Sequence, residues 1–372
     1  SFRRGNGVVG HAKDDHSSQS HRSDEAMKLV TYVQAGAAHL AEGRAGVLVG
    51  EQVFDLAALG IWAARNGVAL PEVNGAAGLP TTTLALLQLG PDGMAAVRAA
   101  LAAADKGRPE DVALEPGEPV IAHELRDIEL RTPVPNPATL RDFYVFEQHV
   151  KASRARRGAE MIPAWYEFPV FYFSNTSELY GMEEPVRYPQ RSQEVDFEME
   201  MAAVIGREGR DIAADDAPGY IAGYMVMNDW SARDLWRKEQ VLNMGPAKGK
   251  DFATSLGPYL VTPDELDDRR TGSGKDERYD LEMRGWINGD NLTHDNTKNM
   301  YYTFPQMIER ASEHARLRPG DVIGSGTCGT GCILELGTER HRWLLPGDVV
   351  EMEIERLGML RNTLADMNKK GQ

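Results

Sequence analysis

The chain has 372 residues, with 41 basic and 56 acidic side chains, a formal net charge of −15 at pH 7, and 42% hydrophobic residues. This length and hydrophobic content are sufficient for one large domain and a smaller one. So acidic a surface repels nucleic-acid phosphates and anionic lipids, which argues against nucleic-acid and membrane-surface functions. No stretch approaches the roughly 20 apolar residues of a membrane-spanning helix, and we expect a soluble, cytoplasmic protein.

The first 26 residues differ in composition from the rest of the chain. Residues 1–26 are rich in Ser, His, Arg, Gly and Asp, and they contain no apolar run typical of a signal peptide. We predict a disordered leader or an artificial extension that takes no part in the fold. Its histidines, His11, His16 and His21, are interpreted as part of a solvated tail. The segment MKLVTYV, beginning at Met27, marks the expected start of folded structure.

Two cysteines, Cys328 and Cys332, lie in a glycine-rich run. A disulfide-stabilised chain of this length would need more cysteines. A structural zinc site would need a second pair of ligands. We therefore expect both cysteines to be buried, reduced thiols.

Residues 27–106 are predicted to form a small α/β domain. Alternating and apolar runs predict strands, and stretches rich in Ala and Leu predict helices. The predicted strands are Lys28–Gln34, Ala45–Val49 and Gln52–Asp55, and the predicted helices lie near Leu56–Asn66, Thr81–Leu89 and Pro91–Ala104. Residues 107–120 are polar and rich in Pro and Gly, which is typical of a linker.

Residues 121–372 are predicted to form a larger domain of mostly antiparallel β structure. Strand-like runs recur between Gly and Pro turns. These runs are Val195–Gly206, Ile221–Asn228, Tyr259–Thr262, Glu282–Asn288, Asp321–Ser325, Cys332–Leu336 and Asp348–Ile354. Helical patterning is sparse, with one candidate at Phe304–His314. The whole chain is therefore predicted to have an α+β, mostly β, fold.

The segment VDFEMEMAAVIG places two acids in apolar surroundings. Glu198 and Glu200 are two positions apart on a predicted strand, so both side chains project from one face. Like charges on one face repel unless a counter-ion is present. Because the flanking residues are largely apolar, we expect both carboxylates to be at least partly buried, where they need pairing or a metal.

Two further acids lie in similar settings. Asp142 lies among the aromatic residues of RDFYVFEQH, and Asp229 lies at the end of the apolar strand in YMVMNDWSARD. Four carboxylates would suit Mg²⁺, Mn²⁺ or Ca²⁺, because these hard cations take oxygen ligands. Each acid alone is also compatible with a surface residue or a cap, and the pattern by itself leaves both interpretations open.

Six segments occur in an order that closely resembles the fumarylacetoacetate hydrolase family: DFYVFEQH, DFEMEMAAVIG, MNDWSARD, GKDFATSLGP, SGTCGTG and LLPGDVVEMEIERLG. The resemblance runs from about Leu140 to Asn362. It implies a β-sandwich roll for the catalytic domain, usually in homodimers. It also implies four metal ligands, Asp142, Glu198, Glu200 and Asp229.

The resemblance extends to residues around the metal. Lys250 and Thr254 match a lysine and a threonine beside the ion. His149 matches the catalytic histidine, and Glu335 in CILELG matches the carboxylate that orients it. A neutral imidazole oriented in this way can take a proton from water near a Lewis acid. Lys250, which would also stabilise the departing enolate, and Arg233 would offset the excess negative charge of the site.

Substrate contacts follow from the same resemblance. The implied substrate-binding residues are Tyr144, Arg156, Tyr172, Arg233, Gln240 and Thr327. Arg154 and Arg157 neighbour Arg156, and the three arginines are expected either to clamp a carboxylate or to form a solvated basic lid. Residues 151–190 would form that lid.

Three positions depart from the best-known family patterns. Ala152 stands where smaller members that decarboxylate oxaloacetate or cleave acylpyruvates carry a glutamate, which favours C–C hydrolysis over decarboxylation. Trp236 and Gln240 stand where the mammalian-type enzyme has Gln and Tyr. The substrate is therefore expected to differ from fumarylacetoacetate itself.

The resemblance implies a divalent-metal-dependent hydrolase acting on a small anionic keto acid. It would cleave a C–C bond in a 1,3-dicarbonyl acid, an acylpyruvate or a fumarylacetoacetate-like acid, through a metal-stabilised enolate. Dehydration of a 2-keto-3-deoxy sugar acid, decarboxylation and isomerisation share that enolate and are alternatives. A third hypothesis is a catalytically silent binding protein that is stabilised by a metal. The presence of His149, Lys250 and Glu335 argues against it.

Two glycine-rich segments resemble nucleotide-binding motifs. Gly324–Gly329 fits G-x-G-x-x-G, but a dinucleotide fingerprint opens a helix, and the following segment, Cys332–Leu336, is predicted as a strand. Gly245–Lys250 is followed by Asp251 rather than by Ser or Thr, so it is no P-loop. We therefore expect no bound dinucleotide.

Overall fold

The computed structural model describes residues 27–37, 42–106, 112–115 and 117–366. The predicted leader, residues 1–26, and part of the predicted linker, residues 107–111 and 116, lie outside the described residues. In the described part of the chain strand predominates over helix. The predicted α+β, mostly β, fold class is therefore confirmed.

The described residues form seven α-helices and 25 strands. The helices are α1 Leu56–Arg65, α2 Thr83–Gln88, α3 Gly90–Lys106, α4 Glu147–Arg156, α5 Arg233–Gln240, α6 Phe304–Ser312 and α7 Ile333–Leu336. The strands are β1 Lys28–Gln34, β2 Arg44–Val49, β3 Gln52–Asp55, β4 Glu72–Val73, β5 Ala76–Ala77, β6 Ala122–Glu124, β7 Ile128–Arg131, β8 Leu140–Phe143, β9 Phe171–Ser174, β10 Leu179–Tyr180, β11 Val186–Arg187, β12 Val195–Asp196, β13 Met199–Ile205, β14 Gly209–Arg210, β15 Ile221–Asn228, β16 Ser231–Ala232, β17 Thr254–Val261, β18 Arg270–Thr271, β19 Arg278–Tyr279, β20 Glu282–Ile287, β21 Asp290–Asn296, β22 Arg316–Leu317, β23 Val322–Gly324, β24 Val349–Ile354 and β25 Gly358–Ala365.

Twelve strands form one large sheet that spans both predicted domains. Ten of them follow the order β6–β3–β2–β1–β17–β15–β13–β23–β8–β9, while β7 pairs with β1 and β10 pairs with β17. The first strand, β1, runs antiparallel to β17, with Lys28 opposite Val261. Strands from before residue 107 and after residue 121 thus share one hydrogen-bonded sheet, and the division into two domains stays a prediction.

A five-stranded sheet, in the order β11–β25–β24–β20–β21, packs against one face of the large sheet. Met201 of β13 packs in one buried cluster with Met352 of β24 and Leu360 of β25. Its neighbour Ala202 belongs to a second cluster with Leu59 of α1, on the opposite face. Because successive side chains of a strand point to opposite faces, β13 is buried on both sides, which explains its uninterrupted apolar run.

Several predicted elements have the predicted bounds. β1, β3 and β15 match residue for residue, and α6 ends at Ser312, two residues before the predicted end. α6 begins at a capping box, in which the Thr303 hydroxyl accepts from the Gln306 N–H and the Gln306 side chain accepts from the Thr303 N–H. Such start signals are local in sequence, which is why these bounds were predictable.

Three predicted features are wrong. The segment Cys332–Leu336, predicted as a strand, forms the short helix α7, which is too short to show a helical period. The strand that carries Glu200 begins at Met199, so Glu198 lies just before it rather than on it. Helix is also less sparse after residue 121 than predicted, because α4 and α5 are polar helices with few buried residues and lack an apolar stripe.

The Asp348 carboxylate is expected to make the stability of the fold depend on pH in acid. It accepts hydrogen bonds from both terminal nitrogens of Arg342, at 2.6 and 2.9 Å, from the Leu345 N–H and from the Asn288 side chain. Burial opposes its ionisation, but these donors outweigh burial and lower the pKa of Asp348 from 3.8 to about 2. Such a carboxylate adds stability above about pH 4 that is lost as the pH falls through about 2.

The test is the difference in the free energy of unfolding between the wild type and Asp348→Asn from pH 7 to pH 2. We expect a constant difference near neutral pH that shrinks between about pH 4 and pH 2, where the wild-type carboxylate takes up its proton. A difference of the same size throughout would contradict this expectation.

Candidate active site

Three acids meet because their strands are neighbours in the large sheet. Asp142 lies on β8, Glu200 lies on β13, and Asp229 directly follows β15. Between β8 and β13 lies β23, whose Gly324 pairs with Asp142 on one side and with Ala202 on the other. A Cβ atom at Gly324 would lie 2.7 Å from Asp142 Oδ1. The glycine therefore leaves the space that the carboxylate occupies.

These three residues, Asp142, Glu200 and Asp229, form a buried carboxylate cluster. One oxygen of each lies within 4.8 Å of those of the others. Asp142 Oδ1, Glu200 Oε1 and Asp229 Oδ1 make no hydrogen bond with any described residue. Burial and repulsion between the acids raise the pKa of all three, most strongly for Asp142 and Glu200. Buried carboxylate oxygens that have no partner are costly, and oxygen ligands suit hard cations. The cluster therefore fits Mg²⁺, Mn²⁺ or Ca²⁺.

Glu198, the fourth predicted metal ligand, is held by basic residues. Its Oε1 accepts a hydrogen bond from Arg233 Nη2 at 2.7 Å, and its Oε2 accepts one from Lys250 Nζ. Burial opposes ionisation of Glu198, but Arg233 and Lys250 outweigh burial and hold its pKa below the usual range. Glu198 is thus an ionised carboxylate, and its role as a metal ligand stays a prediction.

Two buried cations balance the acids. Lys250 Nζ contacts the carboxylates of Glu198 and Asp229, which raise its pKa although burial would lower it. Arg233 Nε donates to Asp196 Oδ2 at 2.8 Å, so Asp196 fixes Arg233 while Arg233 holds Glu198. Since both cations keep their charge at neutral pH, they reduce the net negative charge of the site.

The predicted base and its orienting carboxylate meet although they are 186 residues apart in sequence. His149 lies in the first turn of α4, and its Nδ1 is 2.9 Å from Oε2 of Glu335 on α7. The other oxygen of Glu335 accepts the Thr330 N–H at 2.9 Å. With Nδ1 engaged by the carboxylate, Nε2 is the nitrogen left for proton transfer, and Ser153 Oγ lies 3.4 Å from it.

Both cysteines are buried free thiols, as predicted. Burial raises the pKa of Cys332 well above its usual range. Its Sγ accepts the Glu335 N–H at 3.4 Å and thereby caps α7. A ligand atom of Cys332 also lies within 4.8 Å of those of His149 and Glu198. Because His149 and Glu198 are engaged by other partners, we interpret this group as the surroundings of the base rather than as a second metal site.

A cavity of about 670 Å³ opens onto the site. Ten predicted site residues line it: Asp142, Tyr144, His149, Tyr172, Glu198, Glu200, Arg233, Gln240, Lys250 and Thr327. Asp229 lies beneath this lining, where it accepts a hydrogen bond from the Tyr172 hydroxyl at 2.5 Å. Glu335 lies behind His149, and Thr254 is buried at the start of β17. The structure therefore gathers most of the predicted site at one cavity.

The predicted substrate ligand Arg156 is not among the residues that line the cavity. Its guanidinium donates to backbone carbonyls of α7 and pairs with Glu339. Arg154 and Arg157, its neighbours at the end of α4, line the cavity instead. Successive residues of a helix differ in direction by about 100°, so only the helix face that carries His149 reaches the cavity.

Three residues absent from the predicted site belong to it. Ser153 lies one turn after His149 on α4, and a polar residue four positions from a catalytic candidate on a helix is a local signal that could have identified it. Asp196 fixes Arg233 from 37 positions away, and no local signal connects the two. Trp236, noted above only as a departure from the family pattern, lines the cavity.

The segment Gly324–Gly329 lies against the carboxylate cluster. The Gly326 N–H donates to Glu200 Oε2 at 2.9 Å, and the Gly329 N–H donates to Asp295. The helix α7 follows this segment, so the predicted strand at Cys332–Leu336 no longer argues against a dinucleotide. These two amides are engaged by carboxylates of the chain itself, which argues against their binding a phosphate.

In amino-acid sequence, known proteins resemble this chain over the part that carries the site. Residues 138–365 match the family described as fumarylacetoacetate (FAA) hydrolase C-terminal. A mitochondrial oxaloacetate tautomerase from Xenopus laevis is 36% identical over 195 residues, which cover 52% of this chain and 57% of that protein. A 2,4-didehydro-3-deoxy-L-rhamnonate hydrolase from Sphingomonas sp. (strain SKA58) is 34% identical over 204 residues, which cover 55% of this chain and 67% of that protein.

Solved structures share the fold over most of the chain. A maleylpyruvate hydrolase from Sphingobium sp. SYK-6 superposes with a TM-score of 0.61 and 23% identity, over 91% of this chain and 100% of that one. In the parts of the chain that the structure describes, none of the helices combines the length and the apolar character needed to cross a bilayer.

Proposed function

The chain belongs to the fumarylacetoacetate hydrolase family, and from that premise we propose that it is a divalent-metal-dependent hydrolase. Its substrate would be a 1,3-dicarbonyl acid, such as an acylpyruvate or a fumarylacetoacetate-like acid, in which it cleaves a C–C bond. The main support is the pair formed by His149 and Glu335 at the cavity that the carboxylate cluster also reaches. A base beside a Lewis-acid site can activate water for attack on a carbonyl group.

We propose one cation site with four ligands, Asp142, Glu198, Glu200 and Asp229. The unpartnered oxygens of the carboxylate cluster support it. The cation would supply Lewis-acid polarisation of a substrate carbonyl and offset negative charge that develops on the substrate. Mg²⁺, Mn²⁺ and Ca²⁺ are the candidates, since all three take oxygen ligands.

His149 is proposed to remove a proton from water. Its Nδ1–H would donate to the Glu335 carboxylate, which leaves Nε2 able to accept a proton. The hydroxide adds to the carbonyl carbon, the C–C bond breaks, and its electron pair stays on the leaving fragment, which then takes up a proton. Protonated His149, still paired with Glu335, is positioned to return that proton.

Lys250, Tyr144 and Thr327 are proposed to bind substrate oxygens. All three line the cavity. Lys250 stays charged, because neighbouring acids outweigh burial in setting its pKa. Burial raises the pKa of Tyr144 to about 12, so its hydroxyl remains a hydrogen-bond donor at neutral pH. The Tyr172 hydroxyl is already engaged by Asp229, and we propose that it positions that acid.

A second candidate is proton transfer without hydrolysis, as in a tautomerase or isomerase of a 2-keto acid. The similarity to the tautomerase from Xenopus laevis supports it. His149 would then move a proton within the substrate, and no water would be added. Dehydration of a 2-keto-3-deoxy sugar acid and decarboxylation are further alternatives on the same site.

Product analysis on the metal-loaded enzyme separates these reactions. The panel contains acylpyruvates, oxaloacetate and 2-keto-3-deoxy sugar acids, with Mg²⁺, Mn²⁺ or Ca²⁺ in turn and EDTA as the control. Hydrolysis predicts loss of the β-diketo absorbance with release of two acids in equal amounts, and EDTA should abolish it. Interconversion of the keto and enol forms of oxaloacetate, without cleavage of any acylpyruvate, would reject the first candidate in favour of the second.

We also propose that the protein acts as a homodimer. This proposal rests on membership of the family, because the family resemblance implies homodimers. Light scattering on the purified protein should give twice the molar mass of one chain. The mass of a single chain at working concentration would reject the dimer.

A further inference from the structure

The cavity changes in character from its buried end to its mouth. The acids of the carboxylate cluster are at most 3% exposed. Val170 and Met244, which also line the cavity, are 46% and 76% exposed, so they lie toward the mouth. Trp236 on α5, Phe171 on β9 and Pro246 add further apolar surface to the lining. A ligand that fills the cavity therefore meets acids at the buried end and an apolar wall nearer the mouth, where the Arg157 guanidinium lies over the Trp236 ring.

The most exposed large hydrophobic side chains of the described residues lie in the segment that follows α5. Val241, Leu242 and Met244 are 79%, 74% and 76% exposed, more than any other large hydrophobic residue in the described parts of the chain. They follow α5 directly, and Met244 lines the cavity. Exposed apolar surface of this kind is typical of binding sites. Because Met244 lines the cavity, a ligand in the cavity would cover part of this surface.

Trp236 is the most firmly held part of the apolar wall. The guanidinium carbons of Arg157 and Arg233 lie 5.6 and 5.8 Å from the centroid of its ring, within cation–π range. A Cβ atom at Gly249 would lie 2.6 Å from the Cβ of Trp236, so the backbone just before Lys250 packs directly on this residue. Its indole is thus held in place relative to both α4 and Lys250.

Building on the proposed function, we infer that Trp236 selects 1,3-dicarbonyl acids whose acyl group is flat and apolar, such as an aromatic acyl group. The oxygens of the acid would lie at the charged end, and the acyl group would lie against the indole. A flat apolar group gains free energy by leaving water and stacking there. The hydroxyl groups of a sugar acid would instead lose water against the indole face, Val170 and Met244, which offer no hydrogen-bond acceptor or donor in exchange.

Kinetics on the full-length, Mg²⁺- or Mn²⁺-loaded enzyme test this inference. We expect the kcat/KM of the wild type to be higher for benzoylpyruvate than for a 2,4-dioxo-3-deoxy sugar acid. Trp236→Gln should lower kcat/KM for benzoylpyruvate about tenfold to a hundredfold, with a change under about threefold for acetylpyruvate, which has little to place against the indole. Trp236→Phe should retain the preference, and Lys238→Gln, an exposed residue on the same helix, should leave all values unchanged.

Calorimetry with unreactive ligands separates this inference from the proposed function. The probes are 2-oxo-4-phenylbutanoate and 2-oxobutanoate, each with the same cation. If no 1,3-dicarbonyl acid is cleaved, but the aryl ligand binds more tightly and Trp236→Gln removes the difference, the proposed function fails and this inference holds. Equal kcat/KM for the aryl and sugar substrates, or an unchanged aryl preference in a folded Trp236→Gln variant, overturns it.

Discussion

Replacing His149 by alanine is expected to lower kcat by about 10²- to 10⁴-fold, while the affinity for the divalent cation stays nearly unchanged. The imidazole lines the same cavity as the carboxylate cluster but is not a member of it. Its Nδ1 is engaged by Glu335 at 2.9 Å, so the side chain is held in an orientation suited to proton transfer. Steady-state kinetics and calorimetric titration of the cation measure the two effects separately.

The matched control for this variant is His294→Ala. His294 on β21 also pairs with a glutamate, Nε2 to Glu282 Oε1 at 2.9 Å, but its side chain is 73% exposed and outside the cavity. Loss of activity in His149→Ala alone identifies catalysis rather than the loss of any histidine–carboxylate pair. Glu335→Gln should lower kcat less than His149→Ala, because the imidazole remains but is a weaker base. Wild-type activity in His149→Ala would remove His149 from the mechanism.

Glu200→Gln is expected to abolish the stabilisation that a divalent cation gives to the fold. A ligand at 100 times its Kd stabilises the folded state by about 2.7 kcal/mol. The amide of the variant cannot replace the charge of a fully buried member of the carboxylate cluster. Without a cation we expect the opposite effect on stability. Burial and the charge of Asp142 raise the pKa of Glu200, so the neutral amide of the variant relieves repulsion. The variant should then unfold at a higher temperature than the wild type.

Thermal unfolding in EDTA and in excess Mg²⁺, Mn²⁺ or Ca²⁺ measures both effects. Asp348→Asn is the control, because Asp348 is a buried carboxylate outside the cavity and its loss should leave the cation-induced rise in Tm intact. The Tm of Glu200→Gln should therefore be higher than that of the wild type in EDTA and lower than it in excess cation. A cation-induced rise of equal size in both proteins would show that the cation binds elsewhere.

Local patterns predicted the fold wherever one element carried its own signal. The apolar run of β15 and the capping box of Thr303 and Gln306 define elements without reference to the rest of the chain. α4, α5 and α7 escaped prediction for the opposite reason. The buried polar residues of α4 and α5, such as His149 and Arg233, face the site rather than an apolar core, and α7 has only four residues, so none of the three helices shows a hydrophobic period.

The candidate site was predictable as a set of side chains but not as a set of contacts. The three acids of the carboxylate cluster were noted because each lies in an apolar setting at or near a strand end, and the family resemblance then implied them as metal ligands. The partners of Glu198 were not, since Arg233 and Lys250 reach it from 35 and 52 positions away. Arg156 was chosen over Arg154 and Arg157 because sequence order does not show which face of α4 meets the cavity.

By itself, the sequence determined which chemical groups this protein has available: acids in apolar segments, a histidine and a lysine, all within motifs that resemble one family. These follow from the identity of the side chains and from motifs whose order is a property of the chain. Only the tertiary structure decided that Asp196 fixes Arg233 across 37 positions and that Trp236 is part of the cavity wall. The direction of a side chain depends on helix phase and on the order of strands in the sheet, and both are set by contacts between residues far apart in sequence.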